Sequence, residues 1–273
     1  MIIPFGFMNN RSIITSGLIL NWDIQNPNSY GGSGTTITDL QSNSNGFITG
    51  SIEYTASNPN GGSPNYLNVT GGATEYIRLV STLDSNLSPA NTGTSISVFV
   101  WIYPTAAGVI LSELGQTTPN LALGWHYSQI EIISISGGFD LKFRVFDISS
   151  ITSSTTIVAN RWYYIGFTYE YFYSSALNIY YPRLKGYLNG VEVATSPAYF
   201  TTQPDRQTPN NNGPASPINA TNLYYSLGAP DSNNLGDGTG SSFRFGGMEV
   251  YNRALTVDDV LNNYNVTKSK YGL

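Results

Sequence analysis

The sequence predicts an all-β chain, an antiparallel two-sheet β-sandwich closed by a short C-terminal helix. Three observations carry this. Charged residues make up only 11% of the chain, against about 25% in average soluble proteins, while Tyr reaches 20 copies and Gly 28. Aromatic and β-branched side chains suit a pleated, half-buried surface, and Gly suits the turns between short strands. Apolar residues then recur with a period of two, and the strongest turn dipeptides fall between such runs.

In order along the chain, "SISVFVWIYPTA" (95–106) directs Ile96, Val98, Val100 and Ile102 to one side and Phe99, Trp101 and Tyr103 to the other. A strand apolar on both faces belongs at the centre of a sandwich. "GWHYSQIEIISISGGFDLKFRVFDI" (124–148) reads as two strands about Gly137-Gly138, and "RWYYIGFTYE" (161–170) as an aromatic strand. "LKGYLNGVEVATS" (184–196) is a hairpin, because Asn189-Gly190 is the pair that type I′ turns favour. Near the end, Val257, Val260, Leu261 and Tyr264 form one apolar stripe at helical spacing, leaving Asp258, Asn262 and Asn263 outside it. Thr256 with Asp259 three residues later predicts a capping box, and Lys268 and Lys270 follow where the helix dipole favours cations, so the helix spans 256–267.

Strand signals recur without a change of composition, so residues 17–273 read as one domain, preceded by an arm or edge strand at 1–16. Two insertions interrupt it. Residues 170–183 concentrate Tyr171, Phe172, Tyr173, Tyr180 and Tyr181, and 196–222 carry five prolines, Pro204 and Pro209 among them. Long loops of this kind are usually functional. Together with the apolar arm "MIIPFGFM" (Ile2, Ile3, Phe5), Tyr171, Phe172, Tyr173, Pro204 and Pro209 are the candidate partner contacts.

Composition also excludes function classes. A net charge of −5 with only 12 Lys and Arg makes nucleic acid an unsuitable partner, since phosphate binding needs clustered cations. No apolar run approaches the roughly 20 residues of a membrane span. The absence of Cys removes disulfides and thiolate metal sites. The N-terminal stretch lacks a secretory pattern, so the expectation is synthesis in the cytoplasm.

The segments "GLILNWDIQNPNSYGGSGTTITDLQSNSNG" (17–46), "NYLNVTGGATEYIRL" (65–79), "SISVFVWIYPT" (95–105), "YLNGVEVA" (187–194) and "VYNRALTVDDVLNNYN" (250–265), in this order, resemble the laminin G-like, concanavalin A-like jelly-roll domains. The version is most similar to those carried by tailed phages and other large viruses. The resemblance implies a jelly-roll sandwich in which Arg253 holds the last turn and Leu255 plugs the core. It also implies a non-enzymatic structural protein of the virion, in capsid, decoration or tail, whose partners are other virion proteins or copies of itself. The alternative it leaves open is a carbohydrate-binding or receptor-adhesion module with a host-surface glycan as partner.

Chemistry must be argued from the residues, because a fold hosts many functions. Glucanases that the chain resembles carry Glu-x-Asp-x-x-Glu, which places two carboxylates about 5 Å apart for retaining hydrolysis. No Glu here has Asp two positions later. His126 is the only His, so a Ser-His-Asp arrangement has one available base. No catalytic residue is therefore assigned. Many laminin G-like domains place a calcium-binding Asp where Gly246 stands, and Asp23 and Asp39 lie near Asn and Gly as turn formers do, so no metal or cofactor is assigned. For glycan binding, "LGWHYSQ" gathers Trp125, His126, Tyr127 and Gln129, an aromatic surface with an amide.

Overall fold

The computed structural model describes residues 12–57, 64–72, 74–87, 95–114, 128–145, 150–174, 179–196, 224–229 and 240–273, with the backbone alone at 84, 113–114, 128, 171–174 and 179–182. The strands are β1 (Leu18–Asp23), β2 (Thr36–Ile37), β3 (Gly46–Thr49), β4 (Glu53–Thr55), β5 (Tyr66–Val69), β6 (Tyr76–Leu79), β7 (Ile96–Pro104), β8 (Gly108–Leu114), β9 (Ser128–Ile135), β10 (Gly138–Phe143), β11 (Ile151–Thr152), β12 (Tyr163–Ser174), β13 (Ile179–Leu188), β14 (Val191–Thr195), β15 (Tyr224–Leu227) and β16 (Phe243–Tyr251). One helix, α1 (Val257–Thr267), follows β16.

The strands form two eight-stranded antiparallel sheets. One runs β14-β13-β12-β7-β16-β5-β4 with β1 also on β16, and the other runs β11-β10-β9-β8-β15-β6-β3-β2. β16 serves two neighbours along one edge, pairing β5 through Phe243–Phe245 and β1 through Gly247–Tyr251. The irregularity between Phe245 and Gly247 separates the two pairings. A bulge turns a strand and re-aims its side chains.

The alternation in β7 is realised on both faces. Ile96, Val98, Val100 and Ile102 join the main core between the sheets, with Trp22, Phe143, Phe167, Phe243 and Phe245. Phe99 and Trp101 join a second cluster with Leu18, Trp162, Tyr164, Tyr187, Tyr251, Leu255, Val260 and Tyr271. This second cluster covers the outer face of the β7 sheet. The chain ends in a helix for that reason: an outer face bearing Phe99, Trp101 and Tyr164 needs a lid, and α1 with the 3-10 turn Lys268–Tyr271 supplies it.

The turn expectations are largely met. Asn189 and Gly190 both take positive φ, 51° and 84°, as a type I′ turn requires. The β9–β10 turn sits on Ser136 and Gly137, one residue earlier than expected, with Gly138 already paired to Ile135. Gly137 alone of that pair has positive φ, which is the residue the turn needs. Residues 170–174 and 179–183, set apart in the sequence as an insertion, continue β12 and β13 in register, with Glu170 opposite Arg183 and Tyr171 opposite Pro182. Their aromatic content is that of a paired strand. Ile2, Ile3, Phe5, Pro204 and Pro209 lie outside the described residues, and Tyr171, Phe172 and Tyr173 are described in their backbone only.

The helix differs from its apolar pattern. Thr256 Oγ1 accepts from Asp259 N and Asp259 Oδ2 accepts from Thr256 N, which is the expected capping box. The buried residues of α1 are Val260, Asn263 and Thr267, whereas Val257 and Leu261 are 45% and 41% exposed. The stripe is rotated because the surface beneath is not purely apolar. It carries a carboxylate, two phenols and an indole N–H, and buried polar groups must be satisfied. Leu255 is buried in the second cluster, and Arg253 Nε donates to Ser16 O while its Nη1 donates to Asp259 Oδ2, as the resemblance implied.

Candidate functional site

Glu249 lies on the outer face of β16, buried under α1. Its Oε2 accepts from Tyr164 Oη, Tyr251 Oη and Asn263 Nδ2, each at 3.0 Å. Asn263 also donates to Tyr251 Oη at 2.7 Å, and its Oδ1 accepts from Ile14 N at 2.9 Å. One buried amide thus ties the helix to the sheet and to the chain entering β1. Beside it, Thr267 Oγ1 accepts from Trp101 Nε1 at 3.0 Å. A cavity of about 40 Å³ lies against this node, lined by Asn21, Asp23, Trp101, Glu249, Lys270 and Tyr271. Lys270 Nζ meets Asp23 Oδ2 at 2.7 Å on its wall.

A buried Glu beside a cavity invites an acid–base reading. Size decides against it. Ligand pockets run to about 300 to 1,000 Å³, so a cavity of about 40 Å³ takes a few waters and no sugar ring. Tyr164, Tyr251 and Asn263 all donate to the one oxygen Oε2, and the node ties α1 to the sheet. Burial raises the Glu249 carboxyl above its ordinary range, with the hydrogen bonds from Tyr164 and Tyr251 opposing. It also raises the Tyr164 and Tyr251 phenols, with the Glu249 charge adding to the effect. For a carboxyl raised in the folded state, stability is fully present below the unfolded value and is lost as pH rises through the folded one. Melting wild type and Glu249→Gln from pH 4 to 8 should therefore show wild type losing stability relative to the variant as pH rises, and parallel curves would contradict the assignment.

The two Asp residues weighed as metal ligands are turn formers. Asp39 is buried, and its Oδ1 accepts from Asn21 N and Gln41 N while its Oδ2 accepts from Asn43 N and Ser44 N. Asp23 Oδ1 accepts from Gln25 N. Gly246, at the position where the resemblance places a calcium-binding Asp, has no side chain because a Cβ there would overlap the Tyr271 ring. Among the described residues, no group of three or more His, Cys, Asp or Glu is placed to hold a metal ion.

A different surface has the makings of a ligand site. On the outer face at the β4 side of the same sheet, register lines up Glu53, Asn68, Arg244 and Tyr103 on β4, β5, β16 and β7 in turn. The alternation explains the facing. Phe243 and Phe245 enter the core, so Arg244 points out, and Leu67 and Val69 enter it, so Tyr66 and Asn68 point out. The Arg244 guanidinium lies 4.6 Å from the Tyr66 ring centre and 4.4 Å from that of Tyr103. Trp162, just ahead of β12, packs edge-on to Tyr103 at 5.6 Å and against Tyr66 at 6.3 Å. Tyr271 joins Trp162, at 4.8 Å, to Trp101, at 4.1 Å, so the platform grows directly out of the second core.

Tyr66, Asn68, Tyr103 and Arg244 are all half-buried. Among the described residues, no hydrogen bond holds the Arg244 guanidinium, the Asn68 amide or the Tyr66 and Tyr103 hydroxyls. Stacked rings fix the guanidinium, and its donors remain available. That combination of rigid apolar area and unengaged polar groups is what a small-molecule site requires.

The glycan candidates read from the sequence are placed elsewhere. Trp125, His126 and Tyr127 lie outside the described residues, while Gln129 lies in β9, on the other sheet, and is 1% exposed. Of the platform, the sequence pattern placed Tyr103 on the face of its strand opposite Ile96, Val98, Val100 and Ile102. The signal for Arg244 was equally present, a cation between two alternating Phe residues, but its meeting with Tyr66 and Tyr103 depends on pairing between distant strands.

No family model matches the chain, and no curated protein matches it significantly. Solved structures do. Domain 4 of AbnA, a GH43 extracellular arabinanase from Geobacillus stearothermophilus, solved with arabinotriose, is similar over 91% of this chain and 98% of that one, with a TM-score of 0.51 and 14% identity. The botulinum neurotoxin type G receptor binding domain is similar over 92% of this chain, with a TM-score of 0.50 and 12% identity. A Trypanosoma rangeli sialidase in complex with sialic acid is similar over 94% of this chain, with a TM-score of 0.54 and 11% identity. The chain spans 52% of the neurotoxin domain and 34% of the sialidase. At these identities the likeness shows a shared β-sandwich architecture.

Proposed function

We propose that this chain is a carbohydrate-binding β-sandwich module whose site is the platform of Tyr66, Asn68, Tyr103 and Arg244, backed by Trp162. The observation that carries the reading is the stacked, half-buried guanidinium among rings and amides whose hydrogen-bonding groups are unengaged. Saccharides are recognised by just such apolar area with a few fixed donors and acceptors. That an arabinanase domain solved with arabinotriose and a receptor binding domain share the architecture supports the reading. The role in a virus particle expected from the sequence finds no support among the solved structures of similar fold, which favour the binding alternative.

Binding without turnover is expected. The Glu-x-Asp-x-x-Glu arrangement is missing from the sequence, and the buried Glu249 adjoins a cavity too small for a sugar. The test is a glycan array with the intact chain, followed by titration of the best ligand. Tyr103→Ala and Tyr66→Ala should each weaken binding about tenfold or more, about 1.4 kcal/mol, as removal of a buried aromatic anchor does. An array without a binder, or affinity untouched in the double variant, would overturn the proposal.

A further inference from the structure

Resting on that reading, we infer that the saccharide taken by the platform is acidic, a sugar bearing a carboxylate, and that Arg244 is the residue that selects it. Arg244 is a permanent cation at a half-buried position, held by ring faces at 4.6 and 4.4 Å and by no carboxylate of the described residues. Among the described residues, Arg183 and Arg253 each face an acidic side chain, and Arg78 donates to the Leu79 carbonyl. Of these four arginines, Arg244 is the one whose guanidinium has only rings as partners among the described residues. A planar guanidinium offers two parallel N–H groups to a planar carboxylate. The Tyr rings orient that plane and keep part of it from water, which strengthens a charge-assisted bond.

The one acidic group of the row is Glu53, and distance limits its effect. Glu53 pairs with Asn68, which pairs with Arg244, so it stands two strand spacings away, roughly 10 Å. That exceeds the Debye length of about 8 Å at physiological ionic strength, and Glu53 is exposed. A carboxylate seated on Arg244 would feel the adjacent cation far more than the screened anion. The Asn68 amide, next to Arg244 in register, is placed for a ring hydroxyl.

The experiment uses the intact chain and a panel of oligosaccharides ending in a uronic or sialic acid, each paired with its methyl ester. The ester keeps the ring and its stereochemistry and removes only the charge. At least one acid should bind ten times or more tighter than its ester, and raising salt from 0.05 to 0.5 M should weaken the acid and leave the ester unchanged. Arg244→Gln should bring acid and ester to equal affinity with an unchanged melting temperature, and Arg244→Lys should keep only part of the preference because it loses the planar fork. Esters that bind as tightly as acids, weakened by Tyr103→Ala, would overturn the acidic preference and leave the carbohydrate reading standing. A panel in which neither form binds, alongside an empty array, would overturn both. Should Arg244→Gln fail to fold, the salt response and the acid-to-ester ratio of the wild-type chain decide the matter alone.

Discussion

Deletion of Val257 to Leu273 should leave the chain insoluble or unable to melt cooperatively. The deleted segment contributes Val260 and Tyr271 to the second cluster and covers Trp101 and Tyr164, all buried at present. Burying a large apolar side chain is worth about 1.5 to 3 kcal/mol, so these four together represent roughly 6 to 12 kcal/mol. Total stability of a domain is only about 5 to 15 kcal/mol. The loss also strips Asn263 from Glu249 and Tyr251, leaving a carboxylate and phenols facing water they do not meet now. Solubility of the truncated chain and its thermal melt are the measurements. An unchanged melting temperature would show that the helix is a tail and not a lid.

Glu249→Leu should be nearly as damaging, through a different cause. The substitution fits an apolar surrounding, but it leaves Tyr164 Oη, Tyr251 Oη and Asn263 Nδ2 without their acceptor. A buried donor left unsatisfied costs about 1 to 3 kcal/mol, so three of them cost roughly 3 to 9 kcal/mol. Glu249→Gln keeps an oxygen for the three donors and removes a buried charge, and it should cost no more than about 1 kcal/mol at neutral pH by the same reasoning. Denaturant unfolding of the two variants separates the explanations. If Leu and Gln destabilise equally, charge and not hydrogen bonding holds the node. Comparable stability of the Leu variant and wild type would mean that the node contributes nothing.

The sequence by itself determined the class of fold, because local signals sufficed. Alternation over 95–106 placed Ile96, Val98, Val100 and Ile102 in the main core and Phe99 and Trp101 on a second apolar face. Asn189-Gly190 fixed a type I′ turn, and Thr256 with Asp259 fixed the start of the helix, since each acts within four residues. What needed tertiary structure was every feature made by residues distant in the chain. The helix turns Asn263 inward and leaves Leu261 outside because Glu249, Tyr251 and Tyr164 wait beneath it, and an apolar stripe cannot report a polar surface that another strand supplies. The candidate site is of the same kind. Glu53, Asn68, Arg244 and Tyr103 become neighbours only through the register of four strands, and Arg244 acquires its two Tyr rings only where β5, β16 and β7 lie side by side. Period and turn chemistry are properties of a short stretch of chain, whereas a binding surface on a sheet is read across strands, perpendicular to the sequence.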